Sequence, residues 1–473
     1  MGKYSSLGKN TLLVFIGNLG SKLIAFLMLP FYTSWLSVEE YGTSDNVLVY
    51  VSLLLAIVTL SISESIFIFP KDQELDKQKQ YFSSGLLYSS LFLIITGFIL
   101  YGVREVLNAI DILKSISSNI GFIYLLIIAF FFQTFFQQFS RSINKIRVYA
   151  ISGVVLTFMT ATLSFLLIPK YGLSGFFISQ ILSLFIAAIY SVTHSGAYRY
   201  VSFRDVQLDR YREMVKYSIP LIPNAVMWWL VGSLNRPLME EYLGMHSIGI
   251  FAVAYKFPTL INVLFSVFMV SWQISVIEEY QKDDYEKFYN RVFRLVFVLI
   301  SFCVIVLSLL GKPLIEFVVD TNFHEAWKYI PILSLSVLFS AVSAFVGTNF
   351  SATRESKYYF YSSVWGAIIA IIFNLILIPI WGLYGVVIAI GLSHFVMAFS
   401  RIKYSWKIVK ITNIYFYFFV LMICISNVLI VSFIEDAVIV ISIAIIGFIL
   451  FIFLIKNDLI SGIQLFKSIL QKK

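Results

Sequence analysis

Long apolar stretches alternate with short polar connections along the whole chain. A helix that crosses a hydrocarbon core of about 30 Å needs roughly 20 apolar residues, and fourteen stretches reach this length. They begin near Thr11, Ser44, Tyr81, Gly121, Val148, Gly175, Tyr217, Ser247, Arg291, Tyr329, Tyr358, Leu383, Thr412 and Ala437. The pattern predicts an all-α polytopic membrane protein with about 14 transmembrane helices and no soluble catalytic domain.

The composition agrees with this prediction. Of the 473 residues, 59% are hydrophobic and only 13% are charged, whereas soluble proteins carry about 25% charged residues. The formal net charge of +9 is explained by basic cytoplasmic loops that face anionic lipid headgroups. The charge therefore implies no nucleic acid partner.

The distribution of lysine and arginine predicts the orientation in the membrane. Basic loops are retained on the cytoplasmic side. Alternate connections on one side of the predicted helices hold 27 of the 35 basic residues, and those on the other side hold 6. Both termini are therefore expected in the cytoplasm. The two remaining basic residues, Lys22 and Lys256, lie inside predicted helices.

An internal repeat predicts how the helices are organised. Residues 167–175 read LIPKYGLSG and residues 377–385 read LIPIWGLYG, and both fall in outward turns, after the fifth and the eleventh helix. Six helices per copy is an even number, so we expect two six-helix lobes related by a pseudo-two-fold axis along the membrane normal. A weaker echo pairs Gly42 with Gly249, and chance similarity is a sufficient explanation for that pair alone.

The repeat defines a predicted domain organisation. We expect an N-lobe at residues 1–194 with helices 1–6, a cytoplasmic connector at 195–216, and a C-lobe at 217–405 with helices 7–12. Helices 13 and 14 and a cytoplasmic tail follow at 406–473. The connector contains five basic residues among polar and aromatic ones, which is typical of an interfacial, partly helical segment.

Charged residues inside the membrane are costly, at about 2.5 to 3.5 kcal/mol on insertion scales, and so they mark candidate functional sites. Lys22 and Lys256 both fall near the predicted midplane. Asn18 precedes Lys22 by one helical turn, and we expect Asn18, Ser21, Asn224 and Asn262 to line a cavity. The alternative is that each lysine extends to an interface or pairs with a carboxylate.

Other polar residues allow more than one interpretation. Glu64, near the inner end of the second helix, is a candidate for ion coupling or a solvated carboxylate at a helix end. Asp45 and Arg236 lie near outer helix ends, where we expect exposure. The membrane amides Gln133, Gln180, Asn349 and Asn374 are candidate cavity liners, although hydrogen bonding between helices explains them equally well.

The sequence contains no motif of catalysis or cofactor binding. It has no GxxxxGK[ST] phosphate loop, HExxH or GxSxG sequence, and its histidines show no spacing typical of metal ligands. The predicted outward loops are also too short for an extramembrane active site. We therefore expect a protein that is not an enzyme and that carries neither a metal nor a cofactor.

The segment GNLGSKLIAFLMLPFYTSWLSVEEYG, the two IPxxGLxG turns and the six-plus-six repeat with two extra helices resemble one family over essentially the whole chain. They are similar to the polysaccharide repeat-unit flippases (Wzx type, the oligosaccharide flippase family) of the multidrug/oligosaccharidyl-lipid/polysaccharide exporter superfamily. The resemblance implies alternating-access transfer of undecaprenyl-diphosphate-linked oligosaccharide from the inner to the outer leaflet of the bacterial cytoplasmic membrane. The product would serve O-antigen, capsule or exopolysaccharide synthesis.

The resemblance also implies roles for the two membrane lysines. Related lipid II flippases hold the diphosphate with cationic residues of the first and eighth helices, and Lys22 and Lys256 occupy comparable places. Lysine stands here where the peptidoglycan branch typically has arginine, which favours the polysaccharide branch. A cationic, hydrated groove also suits a carrier of a lipid with an anionic, polar head.

Two further functions remain open from the sequence. A cation-coupled multidrug or lipid II exporter has the same fold, although a multidrug exporter would favour central carboxylates over lysines. A membrane scaffold for polysaccharide assembly enzymes belongs to another class and would require neither lysine. As partners we expect the lipid-linked oligosaccharide and the bilayer, with protons or sodium as candidate coupling ions. A polysaccharide polymerase and a chain-length regulator are candidate protein partners.

Overall fold

The computed structural model describes residues 24–108, 114–353, 355, 357–433 and 447. All regular elements within these residues are helices. The α-helices are α1 Leu29–Trp35, α2 Val38–Val58, α3 Ile62–Ile68, α4 Leu75–Asn108, α5 Lys114–Ser118, α6 Ile120–Ser142, α7 Ile146–Ser195, α8 Leu208–Ser218, α9 Leu221–Ser233, α10 Asn235–Glu279, α11 Tyr285–Val318, α12 Ile330–Ala352, α13 Lys357–Ser405 and α14 Ile414–Phe433. Short 3₁₀ helices lie at Ala197–Tyr200, Phe203–Asp205 and Thr321–Tyr329. The all-α architecture predicted from the sequence is confirmed.

The described part of the chain contains nine helices that are long and apolar enough to cross a membrane, and a shorter apolar helix at Ile24–Trp35. The protein is therefore a multi-pass membrane protein. The predicted count of 14 and the orientation of the termini stay predictions, because most of the first and last candidate helices lies outside the described residues.

Three of the nine candidate segments, α7, α9 with α10, and α13, are too long for one crossing. The segments Ile146–Ser195, Leu221–Glu279 and Lys357–Ser405 have 50, 59 and 49 residues. At 1.5 Å per residue, 50 helical residues extend over about 75 Å, more than twice a hydrocarbon core. Each contains a glycine with a non-helical backbone, Gly172 in α7, Gly244 in α10 and Gly382 in α13, so each is long enough and bent enough to hold two spans.

The two copies of the IPxxGLxG sequence have the same backbone conformation. Gly172 has φ 53° and ψ −132°, and Gly382 has φ 56° and ψ −131°. This positive φ strongly favours glycine over residues with a Cβ. Three residues later, a Cβ at Gly175 would clash with the Leu167 carbonyl, and a Cβ at Gly385 would clash with the Leu377 carbonyl. The repeat seen in the sequence is thus also a repeat of local structure.

The second predicted helix is divided into α2 and α3. Leu60 and Ser61 both have φ 51°. The Ser61 amide donates to the Ala56 carbonyl and the Leu60 amide donates to the Ile57 carbonyl, which is a Schellman termination of α2. Leucine occupies the left-handed position that is usually glycine. The following helix, α3, begins a separate turn and carries Glu64.

Contacts divide the chain into two compact units. The first consists of Met1–Trp229 and Arg236–Gly249, and the second of Leu230–Asn235 and Ile250–Lys473. The domain boundaries expected from the repeat stay predictions.

The first unit is centred on phenylalanine side chains of α4 and α6. Phe82 packs against Phe135, Phe136 and Phe139, with a centroid distance of 4.3 Å to Phe139. The helices α3 and α6 run parallel where they meet, because Ser63 contacts Thr134 and, further along both helices, Phe67 contacts Arg141.

The second unit is built around α12, most of whose residues are buried. An aromatic cluster surrounds Phe345 of this helix. Trp272 stacks on Phe345 at a centroid distance of 4.4 Å, and Tyr289 and Phe293 of α11 lie 5.2 and 5.4 Å away. The Trp272 indole also donates to Thr348 at 3.1 Å, so the cluster joins α10, α11 and α12.

Candidate functional site

Lys256 is the predicted membrane cation that the structure describes. It lies on α10 twelve residues beyond the break at Gly244, a distance of about 18 Å along a helix. A hydrocarbon core of about 30 Å has its midplane at half that depth, so Lys256 lies well inside the span. Lys22, Asn18 and Ser21 lie outside the described residues.

The Lys256 side chain lies on the less buried face of its helix. It is half-buried, as is Tyr255, whereas Phe251, Ala252, Val253 and Phe257 are buried. No carboxylate in the described part of the chain forms an ion pair with Lys256. Pro258 lies inside the helix, two residues after Lys256. The Thr259 hydroxyl donates to the Lys256 carbonyl at 2.6 Å. Within the described residues, the positive charge of Lys256 is therefore not balanced by an ion pair.

The predicted cavity amides fall in different surroundings. Asn262 is half-buried on the same helix as Lys256, but six residues correspond to about 600° of helical rotation, so their side chains point about 120° apart. Asn224 is exposed on α9 in the first unit. Their role as cavity liners stays a prediction.

Glu64 lies in the first turn of α3 and its side chain is exposed. Its neighbours Ser65 and Ile66 are buried, and the Ser65 hydroxyl donates to the Met214 carbonyl at 2.7 Å. The helix carrying Glu64 is thus fixed by packing while the carboxylate remains accessible. Both interpretations of Glu64, ion coupling and a solvated helix end, are compatible with this position.

A polar cluster joins α2 to the start of α10 within the first unit. Arg236 Nε lies 3.3 Å from Asp45 Oδ2, and the Arg236 side chain is only 6% exposed. Asn46 and Tyr50 both donate to Glu240 Oε2, at 2.6 and 3.4 Å. The expectation that Arg236 is exposed was wrong, because its guanidinium is enclosed between the two helices and paired with Asp45.

Gly42 and Gly249 make a reciprocal contact beside this cluster. A Cβ at Gly42 would clash with the Met245 carbonyl, and a Cβ at Gly249 would clash with the Val38 carbonyl. Each glycine therefore faces the carbonyl four residues before the other, which is the arrangement that a local two-fold axis produces. This geometry supports a true repeat at the pair for which the sequence alone left chance as an explanation.

Sequence reasoning missed the most deeply buried cation of the described chain. Arg401 was counted with a cytoplasmic connection, but it lies on α13 and is 1% exposed. It donates to the Ser343 carbonyl and Ser362 Oγ, each at 3.0 Å, and to Ser363 Oγ at 3.5 Å. The sequence signal was the serine pair Ser362 and Ser363 earlier in the same apolar segment. All of these acceptors are neutral, so Arg401 has a structural role in joining α12 and α13.

The residues between the helices 146–195 and 221–233 dock against α4 in the first unit. The Tyr200 carbonyl accepts from Ser83 Oγ at 2.9 Å, and the Gln207 amide donates to Ser84 Oγ at 2.8 Å. Burial raises the pKa of the Tyr211 phenol on α8, so this side chain stays neutral and packs against Tyr88 with centroids 5.1 Å apart. The basic connector is therefore packed onto the protein through its backbone and aromatic groups.

Solved structures with a similar fold are membrane transporters. The lipid II flippase MurJ in its inward closed conformation matches with a TM-score of 0.64 at 17% identity, over 96% of this chain and 99% of that chain. The inward-facing conformation of a multidrug resistance MATE family transporter of the MOP superfamily matches with a TM-score of 0.63 at 14% identity, over 82% and 94%. The TM-scores show a shared fold.

Relatives by sequence include two curated proteins. The capsular polysaccharide biosynthesis protein CapF of Staphylococcus aureus is 26% identical over 198 residues, 41% of this chain, and the match spans 50% of CapF's own length. The uncharacterized membrane protein MJ1375 of Methanocaldococcus jannaschii is 21% identical over 402 residues, 80% of this chain and 93% of that protein.

A family profile described as polysaccharide biosynthesis protein matches residues 7–281. The match covers more than half of the chain, and it includes Lys22, Lys256 and the first IPxxGLxG turn. Because this profile covers more than half of the chain, the chain belongs to the polysaccharide biosynthesis protein family.

Proposed function

We propose that this protein moves undecaprenyl-diphosphate-linked oligosaccharide repeat units from the inner to the outer leaflet of the bacterial cytoplasmic membrane by alternating access. The product would serve capsule, O-antigen or exopolysaccharide synthesis. The proposal depends chiefly on Lys256, a half-buried cation deep in a membrane helix, with no ion pair to a carboxylate of the described residues. Such a charge is costly in the bilayer and is stabilised when an anion binds to it.

The substrate headgroup matches this chemistry. A diphosphate carries negative charge and accepts hydrogen bonds from an ammonium group, which binds phosphate as a compact point charge. In the proposed mechanism Lys22 and Lys256 both contact the diphosphate. A cytoplasm that is electrically negative favours outward movement of each anionic charge by about 2.3 kcal/mol per 100 mV.

The alternative transport functions are distinguished by the charge of the transported molecule. A cationic drug would be repelled by Lys256, so the MATE-like fold alone does not favour multidrug export. Lipid II carries the same diphosphate, so lysine binding does not distinguish it from an oligosaccharide substrate. Distinguishing lipid II from a lipid-linked oligosaccharide requires identifying the sugar attached to the transported lipid.

The test uses a deletion strain that produces the native polysaccharide. Without the protein, lipid-linked oligosaccharide should accumulate in the inner leaflet, and the wild-type gene should restore export. Lys22→Ala and Lys256→Ala should each reduce export about 10-fold or more, because a hydrogen bond to a charged group contributes about 1.5–3 kcal/mol. Arginine at either position should retain part of the activity.

Lys282→Ala is the matched control. Lys282 is an exposed lysine between α10 and α11 that pairs with Glu279 at 2.6 Å, and its loss should leave export unchanged at equal expression. Normal export by both alanine variants would refute the proposed site. Failure of lipid II transfer with normal polysaccharide precursors in the deletion strain would assign the lipid II alternative.

A further inference from the structure

Two cationic side chains, Arg141 and Lys71, lie against the ring of Phe67 at the C-terminal end of α3. The connections at this end are the basic ones that the sequence predicts to be cytoplasmic. The Arg141 guanidinium carbon lies 4.1 Å from the Phe67 centroid, and Lys71 Nζ lies 5.9 Å from the same centroid. Arg141 also lies 5.5 Å from the centroid of Tyr149. All three distances fall within the cation–π limit of about 6 Å.

The helices hold the two rings in place. The hydrogen bond between Ser63 and Thr134, at 3.1 Å, joins α3 to α6 on the N-terminal side of the contact between Phe67 and Arg141. The turn after α6 is closed by Asn144, at φ 62°, and it directs the chain into α7. Gln137 of α6 donates to the Tyr149 carbonyl at 3.0 Å. The rings are therefore fixed by the fold, whereas both cationic side chains are exposed.

Neither cation is neutralised by the described part of the protein. Arg141 and Lys71 form no ion pair there, and their side chains donate no hydrogen bond to a protein acceptor in that part. Glu64 lies on the same short helix as Phe67 but does not pair with either of them. On connections predicted to lie on the same side, by contrast, Arg210 pairs with Glu213 at 3.4 Å and Lys282 pairs with Glu279 at 2.6 Å.

This geometry leaves the N–H edge of the Arg141 guanidinium and the Lys71 ammonium group able to bind a phosphate group. A ring that covers the face of a guanidinium leaves its N–H edge available, and this edge matches phosphate oxygens in a bidentate arrangement. Lys71, on the same ring, supplies a second positive charge. Aromatic side chains at a membrane interface lie at headgroup depth, where basic residues attract anionic lipids.

We propose that Arg141, Lys71 and Phe67 form a binding site for the phosphate group of an inner-leaflet lipid. The same chemistry suits the headgroup of an anionic phospholipid and the diphosphate of a lipid-linked substrate before its translocation. Only the second source rests on the proposed function. All three residues belong to the first compact unit.

The experiment measures lipid binding to the purified full-length protein in detergent by native mass spectrometry. Phosphatidylglycerol and undecaprenyl diphosphate are titrated separately, with phosphatidylcholine as the zwitterionic reference. The double variant Lys71→Gln/Arg141→Gln should lower the bound fraction of at least one anionic lipid about fivefold or more, as expected from losing headgroup attraction. Binding of phosphatidylcholine should not change.

Lys403→Gln/Lys407→Gln is the control of equal charge, since both lysines are exposed near the end of α13. It should change binding much less than Lys71→Gln/Arg141→Gln does, because no aromatic ring in the described part of the chain gathers Lys403 and Lys407 into one site, as Phe67 does for Lys71 and Arg141. Phe67→Leu keeps both charges and should lower binding by an intermediate amount. Equal losses in the two double variants, or no loss in Lys71→Gln/Arg141→Gln, would overturn the site.

The identity of the lipid follows from which titration changes. Loss for phosphatidylglycerol alone identifies a bulk phospholipid, loss for undecaprenyl diphosphate alone identifies the substrate headgroup, and loss for both identifies a general phosphate site. Each of these results supports the proposal. The proposed function is tested by export in cells, so the two proposals can fail independently.

Discussion

Replacing Gly42 by alanine should destabilise the protein through a backbone clash. The added Cβ would lie 2.7 Å from the Gly249 nitrogen and closer still to the Met245 carbonyl, whereas ordinary van der Waals contact begins at 3.4 Å. The obstructing atoms belong to the backbone and cannot rotate away. The helices α2 and α10 must therefore separate, and the neighbouring contact between Arg236 and Asp45 is lengthened with them.

The expected magnitude is clearest against a matched glycine. Overpacking a close contact costs about 1–3 kcal/mol, while alanine gains up to about 1 kcal/mol of helix propensity over glycine. Gly391 lies inside α13 with nothing within 4 Å of an added Cβ, so Gly391→Ala receives the gain without the clash. The propensity gain cancels in the comparison, and Gly42→Ala should be less stable than Gly391→Ala by about 1–3 kcal/mol.

Thermal unfolding of the two purified variants in one detergent, at one scan rate, measures this difference. A difference of 1 kcal/mol corresponds to about 2–4 °C for a unit of 150–250 residues. Gly249→Ala should behave like Gly42→Ala, because its Cβ meets the Val38 carbonyl in the reciprocal position. Equal midpoints for Gly42→Ala and Gly391→Ala would show that the close approach of α2 and α10 is absent, and the reasoning would be refuted.

Three further outcomes are expected. In a cysteine-free variant, cysteines at the exposed positions Glu39 and Arg204 should react with an impermeant reagent from outside and from inside respectively, and the reverse pattern would contradict the orientation inferred from the basic residues. Glu64→Gln should abolish the dependence of transport on a pH gradient in reconstituted vesicles if Glu64 carries a coupling proton, whereas unchanged dependence would assign it to a solvated helix end. Arg401→Lys should lower stability by about 1–3 kcal/mol, because an ammonium group cannot reproduce the forked hydrogen bonds to the Ser343 carbonyl of α12 and to Ser362 Oγ of α13. Lys403→Arg on the exposed side of α13 is the control, and an unchanged unfolding midpoint for Arg401→Lys would show that these bonds contribute nothing.

The sequence alone determined the local features of this protein. Apolar stretches of membrane-spanning length identify helices, since a backbone in lipid must satisfy its hydrogen bonds within the segment. The two IPxxGLxG turns were recognisable because glycine is required for the positive φ of Gly172 and Gly382. The resemblance to a flippase family also came from residues close together in the chain.

Only the tertiary structure decided which helix faces meet. Arg236 was expected at an exposed helix end, yet it pairs with Asp45 across 191 residues of sequence. Arg401 was counted with a loop, yet it is buried and donates to the Ser343 carbonyl and to Ser362 Oγ. The close approach of the Gly249 backbone, which only glycine at position 42 permits, was likewise visible only in the structure. Hydropathy determines which residues enter the membrane but is nearly uniform around a buried helix, so it carries little information about partners. The partner of each polar or small residue is fixed by packing between distant segments, which local sequence does not encode.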